Sequence, residues 1–122
     1  MIKVSVKLKG SDEMKRRLRQ EGEKFQRKLG EALYEEMLIE AREVFVRTPY
    51  KTGALRESEK VGRPVWTGNR VSVTISANTD YALIVHEDLE AFHPIGEAKF
   101  IESVLNESAP HMAERVGRRL SL

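Results

Sequence analysis

The chain has 122 residues and 14.0 kDa, 40% of them hydrophobic and 33% charged, which supplies one modest core under a heavily charged surface; a single domain over residues 1–122 is expected. It has no cysteine, which excludes disulfides, thiolate metal ligands and cysteine nucleophiles, and a net charge of +2 is too mild to point to nucleic acid. No segment approaches the roughly 20 apolar residues of a membrane span, so a soluble, unprocessed chain with no membrane partner is expected.

Ile2, Val4, Val6 and Leu8 alternate with Lys3, Ser5, Lys7 and Lys9, a period of two that predicts a strand with one buried face and one lysine-bearing face. Gly10 ends it, and Ser11 is placed to cap a helix whose first residues, Asp12 and Glu13, suit the positive end of the helix dipole. Met14, Leu18, Phe25, Leu29, Leu33, Met37, Ala41 and Val44 then recur at helical spacing and predict an amphipathic helix of about nine turns ending near Val46. Gly22 and Gly30 fall inside it. Each costs about 1 kcal/mol relative to alanine, so a bend or a close contact is expected near them. Pro49 biases Thr48 away from helical angles and stops the helix, and Thr52 is placed to cap a short new turn that directs Leu55 inward.

Val61 and Val65 precede, and Val71, Val73 and Ile75 follow, the sequence Thr67-Gly68-Asn69-Arg70. Gly-Asn tolerates positive φ, which predicts a hairpin with a two-residue turn. Tyr81-Ala82-Leu83-Ile84-Val85 is an apolar run that fits a buried strand or a short helix equally, with Asp80 as a cap tipping the reading slightly to helix. Residues 87–96 read as a loop, with Pro94 and Gly96 as breakers. Ala98, Phe100, Ile101, Val104 and Leu105 predict a C-terminal helix. Pro110 either kinks that helix or, with Ser108 as cap, opens a second one holding Met112, Val116 and Leu120. The fold class expected is α+β: a long N-terminal helix packed on a small antiparallel β-sheet, with a C-terminal helix or helices.

Reactive chemistry finds little support. Imidazole and carboxylate both ligate zinc or manganese, and His86, Glu87, Asp88, His93, Glu97 and the distant His111 are the one concentration of such groups. His86 and His93 nevertheless lie seven residues apart, with Pro94 beside the second, not at the i, i+4 spacing that puts two ligands on one helical face. A polar loop is the reading, with no metal or other cofactor. The serines at 58, 72, 76, 103 and 108 have no nucleophile elbow around them, and Gly62 and Gly68 lack the Gly-Lys-Ser or Gly-Lys-Thr of a phosphate loop. Glu35, Glu36, Glu40 and Glu43 read as a solvated helix face. No enzyme is expected.

Charge is segregated along the chain. Residues 1–30 hold ten bases against four acids, whereas residues 80–107 hold seven acids against Lys99 alone. A basic nucleic-acid-binding protein using Lys7, Lys9, Arg16, Arg17 and Arg19 is one reading; Phe25, the aromatic among those bases, falls on the apolar stripe, so no stacking platform accompanies them and nucleic acid is not expected as a specific ligand. The other reading is self-complementarity, and it is the one taken here. Lys7, Lys9, Arg16 and Arg17 on one copy would face His86, Glu87, Asp88 and His93 on the next, steering a head-to-tail, ring-closing assembly.

Three motifs in order carry a family resemblance: Thr48-Pro49-x-x-Thr52-Gly53-x-Leu55-Arg56-x-Ser58, then Asp80-Tyr81-Ala82-x-x-Val85-His86-Glu87, then Gly96-x-Ala98-Lys99-Phe100-Ile101. Over about residues 11–120 the chain resembles the tail-completion or minor tail-component family of siphophages and prophages, the gene-product-ten-like neck or head-tail connector proteins. The resemblance implies a structural virion protein without catalysis or cofactor, forming a ring between the portal side of the capsid and the tail tube. Its partners would be itself and neighbouring neck, connector or tail-tube proteins, in the virion and in the host cytoplasm during assembly. It also implies that Thr52, Gly53, Leu55, Arg56, Tyr81, Ala82 and Phe100 set the fold. Many relatives have a Glu-Phe-Gly-Thr type turn after the tyrosine segment, where this chain has His86-Glu87-Asp88-Leu89 and a longer loop to Pro94.

Overall fold

The alternating N-terminal stretch forms strand β1, Ile2–Leu8, in a computed structural model that describes residues 2–8, 11–49, 53–68, 70–77 and 100–122. β1 pairs along its whole length, antiparallel, with the central strand β4, Arg70–Ala77, in a register that puts Val6 opposite Val73, Val4 opposite Ile75 and Leu8 opposite Val71. On the other side of β4 lie two short strands in tandem, β2 (Lys60–Val61) and β3 (Val65–Thr67). Val61 faces Ile75 and Val65 faces Ser72, so four steps on one side meet three on the other and one residue is extra. That is a β-bulge at residues 62–64, with the Gly62 N–H still donating to Thr74 O at 2.8 Å and Pro64 having no N–H to lose. Thr67 pairs with Arg70, leaving the predicted two-residue turn, in which Gly68 takes φ 60°.

The helices cover one face of this sheet. The nine-turn helix expected from periodicity is in fact two: α1 (Asp12–Glu21), capped by Ser11 whose Oγ accepts from the Met14 N–H at 3.3 Å, and α2 (Glu23–Arg47). The break falls at Gly22, with φ 59° and ψ −134°, a backbone conformation essentially reserved for glycine. The redirected chain lets Met14 of α1 and Phe25 of α2 share one core. Gly30 does the other thing glycine permits: α2 lies against the bulge, where a β-carbon at residue 30 would sit 3.4 Å from Pro64 Cβ and 3.5 Å from Trp66 Nε1.

After α2 comes a single turn, α3 (Ala54–Glu57), whose N-cap is Gly53 in the left-handed region at φ 84° with no side-chain cap bond. Thr52, expected to cap this turn, lies outside the described residues, as do the run Tyr81–Val85, left open between strand and helix, and the loop expected at 87–96. The last helix, α4 (Phe100–Arg119), runs unbroken through Pro110. Both Pro110 and Asn106, whose carbonyl loses its i+4 donor, are exposed, so water can meet that carbonyl. Ser108 is buried within the helix and its hydroxyl donates to Leu105 O at 3.3 Å instead of capping a new one.

The core lies between the sheet and the α2–α4 pair. Val71, Val73, Ile75 and Ala77 of β4 and Leu8 of β1 meet Phe25, Leu29, Leu33, Met37 and Val44 of α2 and Phe100, Ile101, Val104, Met112 and Val116 of α4, all buried. The opposite face of the sheet carries the other half of each alternation, Lys3, Ser5 and Lys7 on β1 and Ser72, Thr74 and Ser76 on β4.

Candidate functional site

The end of α2 explains the first motif. Thr48 terminates the helix and is fully buried, its hydroxyl 2.6 Å from Val44 O and also in hydrogen-bond contact with the Glu59 carboxylate. Arg56 reaches back from α3 to the open carbonyls at that terminus, donating from Nε to Thr48 O at 3.2 Å and from Nη2 to Val46 O at 3.4 Å. Its guanidinium stands over the Phe45 ring, 5.2 Å from the centroid. A cation there meets the negative end of the helix dipole and orphan carbonyls together. Leu55 is buried in the core beneath, and Ser58 closes the turn by donating to Leu55 O at 2.7 Å. Thr48-Pro49…Gly53-x-Leu55-Arg56-x-Ser58 is thus a self-contained stop-and-anchor unit.

Glu59 is the member that sequence reasoning missed. Burial pushes its carboxyl up to about 7 from an ordinary 4.5, against the Thr48 hydrogen bond and the charge of Arg56, which both act to lower it. Its Oε1 is buried without a hydrogen-bond partner. Thr48 has one hydroxyl hydrogen and two acceptors in reach, Val44 O and Glu59. A proton on Glu59 resolves the conflict: Thr48 donates to Val44 O and the carboxyl donates to Thr48 Oγ1. No periodicity marks such a residue; a glutamate beside a strand reads as exposed. It lines a groove of about 600 Å³ between α2 and β2, with Leu38, Phe45, Val46, Val61 and Ile75 among the apolar lining and Arg42, Arg56 and Lys60 among the charged. Leu38, Ile39, Phe45 and Val46 are all exposed large apolar side chains.

Of the α2 carboxylates expected on a solvated face, Glu35 and Glu43 are exposed but Glu36 and Glu40 are not. Glu36 and Glu40 are only 8% and 7% exposed, because α4 packs antiparallel over them. Arg119 donates to Glu36 at 2.8 Å and to Glu35 at 2.7 Å; Arg115 donates to Glu40 at 2.9 Å. Farther along, Arg47 holds Glu107 through both carboxylate oxygens, at 2.8 and 2.6 Å, and Glu43 at 2.9 Å. Burial raises the Glu40 carboxyl against the pull of Arg115, whereas the Arg47 hydrogen bond lowers that of Glu107. Glutamate at i and i+4 on a helix gives no hint that a second helix will cover it; the arginines at 115 and 119, four residues apart on α4, were the available signal.

The remaining site residues separate in space. Arg16 pairs with Glu13 and Gln20, and Arg17 pairs with Glu21 at 2.7 Å while standing 5.0 Å over Phe25, so both are engaged within the first two helices. Lys7 is exposed on the open face of the sheet, away from them. Gly53, Leu55 and Arg56 lie together at the α3 turn, and Phe100 is fully buried at the start of α4. Lys9, Thr52, Tyr81, Ala82, His86, Glu87, Asp88 and His93 lie outside the described residues. Among the described residues no three potential metal ligands cluster, and no helix is long and apolar enough to cross a membrane.

An antiparallel helix pair laid over one face of a small antiparallel sheet, with ion pairs knitting the helices and apolar and basic surfaces left open, defines a small α+β protein built around surfaces. Residues 12–87 match the model of the HK97-gp10-like family, described as "Bacteriophage HK97-gp10, putative tail-component", and the chain belongs to this family. The match runs from the first residue of α1 through the Thr48–Ser58 unit and the Tyr81-Ala82 motif; the Ala98-Lys99-Phe100 motif and α4 lie beyond it. Comparison with curated proteins and with solved structures yields no match.

Proposed function

We propose that this phage tail component is a structural protein of the virion neck, acting in head-tail connection or tail completion by ring-like self-assembly and without catalysis. The observation that carries the reading is the family match over residues 12–87. The geometry supports it: apart from Glu59, every buried carboxylate among the described residues is matched to an arginine of another helix, the use of charge that holds a scaffold together. Exposed apolar side chains around the α2 groove and a basic sheet face offer surfaces for neighbours. Its partners are other copies and adjoining neck, connector or tail-tube proteins, met in the host cytoplasm as the particle is built. Native mass spectrometry and negative-stain microscopy of the purified chain, alone and co-expressed with the proteins encoded beside it, test this. Closed rings or a stoichiometric complex with a capsid-side or tail-tube protein are expected; a chain that stays monomeric in every mixture would remove the reading.

A further inference from the structure

We propose that the open face of the β-sheet is the docking surface for a second copy of this chain, which presents its acidic stretch between residues 80 and 97. The inference rests on the self-assembly reading above. β1, β4 and β2–β3 place Lys3, Ser76 and Lys60 in one row across the sheet, Lys7, Ser72 and Val65 in a second, and Arg70 and Thr67 in a third. With strands about 5 Å apart and about 3.4 Å of rise per residue, Lys3 and Lys60 stand about 10 Å apart and Lys3 and Lys7 about 13 Å. Between them Ser5 and Thr74 share a hydrogen bond, and Ser72 and Ser76 add further hydroxyls able to donate to carboxylates.

The four cations are exposed, and this face carries no acidic side chain among the described residues. Among the described residues none of them has an ion-pair partner. On the helices, by comparison, Arg16, Arg17, Arg47, Arg115, Arg118 and Arg119 each hold a carboxylate of their own chain, while Lys15, Arg19, Lys24, Arg27 and Lys28 are exposed beside acidic neighbours such as Glu13, Glu21 and Glu23. Of the basic residues the sequence singled out, Arg16 and Arg17 on α1 are thus spent within the chain, whereas Lys7 on the sheet is not. The matching negative charge is in the same sequence. Asp80, Glu87, Asp88, Glu90 and Glu97 fall between Ala77 and Lys99 with no lysine or arginine among them. A positive face and a negative stretch on one chain make a heterologous, head-to-tail contact, which repeats from copy to copy and closes into a ring when the rotation allows. An unstacked nucleic acid fits less well, because the face has no aromatic side chain among the described residues: Trp66 sits on the inner side, opposite Val71.

Charge exchange between copies tests this. One variant carries Lys3→Glu, Lys7→Glu and Arg70→Glu; the other carries Asp80→Lys, Glu87→Lys and Asp88→Lys; a third, with glutamine at 3, 7 and 70, removes charge without adding repulsion. Circular dichroism checks the fold, and sedimentation velocity reads association. Each reversed variant alone should associate at least about tenfold more weakly than the parent, the glutamine variant should fall between, and mixing the two reversed variants should restore association. Parental association of the glutamine and glutamate variants would overturn the proposal while leaving self-assembly standing. Rescue only when both sets of changes share one chain would mean that the face is covered within a single copy, and would also overturn it. DNA retardation lost in the glutamate variant with assembly unchanged would assign the face to phosphate instead. A parent chain that never self-associates removes the assembly reading itself.

Discussion

Glu59 is the residue whose chemistry is most out of keeping with its sequence context. Its folded-state value of about 7 lies above the ordinary 4.5, so the native chain holds a proton that the unfolded chain has released over that interval. Stability from this group is complete below about pH 4.5, falls as pH rises, and is lost once pH passes 7. Allowing for the solvent that reaches this partly buried site, the loss is about 1–2 kcal/mol. Urea midpoints measured from pH 5 to 8 should therefore decline for the parent more steeply than for Glu59→Gln, whose amide donates to Thr48 Oγ1 at every pH. Parallel profiles for the two proteins would remove the buried proton. Thr48→Val in the same background should lose the Val44 and Glu59 bonds together and cost about 1–2 kcal/mol, with little left for pH to change.

At the scale of elements, α2 is shaped by two glycines that do opposite things. Gly22 has open space around it but a backbone that β-carbons disfavour; Gly30 has ordinary helical angles and a neighbour at contact distance. Gly22→Ala should destabilise by about 1–3 kcal/mol through backbone strain. Gly30→Ala should be neutral or stabilising by up to about 1 kcal/mol, since a methyl at 3.4 Å from Pro64 Cβ makes normal contact and the helix gains propensity. A larger side chain there would collide with Pro64 and Trp66. Thermal melts of the two alanine variants moving in the same direction would refute this account. The α2–α4 ion pairs behave differently again. Arg115→Ala leaves Glu40 covered by α4 without its cation, which should raise that carboxyl further and cost about 1–2 kcal/mol at neutral pH, shrinking in acid as Glu40 takes up a proton. Glu40→Gln should cost less, because an amide needs no counter-charge. Equal losses at pH 5 and pH 8 for Arg115→Ala would show that the lost contact is packing by the arginine stem rather than charge.

For the whole molecule, periodicity made the strands, the hairpin and the apolar stripes of the helices legible, because each depends on residues close in sequence. The alternation from Ile2 to Leu8 and the Gly68-Asn69 turn are local signals, and the structure pairs Leu8 with Val71 and Thr67 with Arg70 accordingly. What was not legible depends on distant partners. Arg56 anchors the α2 terminus only because α3 folds back on it, Glu36 and Glu40 are buried only because α4 lies over them, and Arg16 and Arg17 count as basic in sequence but are neutralised by Glu13 and Glu21 in space. Summed charge therefore overstated what Arg16 and Arg17 add to the basic surface, and this bears on how assembly should respond to salt. Pairs inside a copy whose carboxylates are covered, Arg115 with Glu40 and Arg119 with Glu36, screen poorly; the proposed contacts between a lysine-bearing face and an acidic stretch would be solvated at the rim and screen well. Raising ionic strength from 0.15 M to 1 M shortens the Debye length from about 8 to about 3 Å. Over that range the association constant of the assembled chain should fall at least about tenfold while its urea midpoint stays nearly constant. Sedimentation and urea titration on the same samples separate the two. An assembly that resists 1 M salt would put the α2 groove, with Leu38, Phe45 and Val46 at its edge, at the contact in place of the sheet.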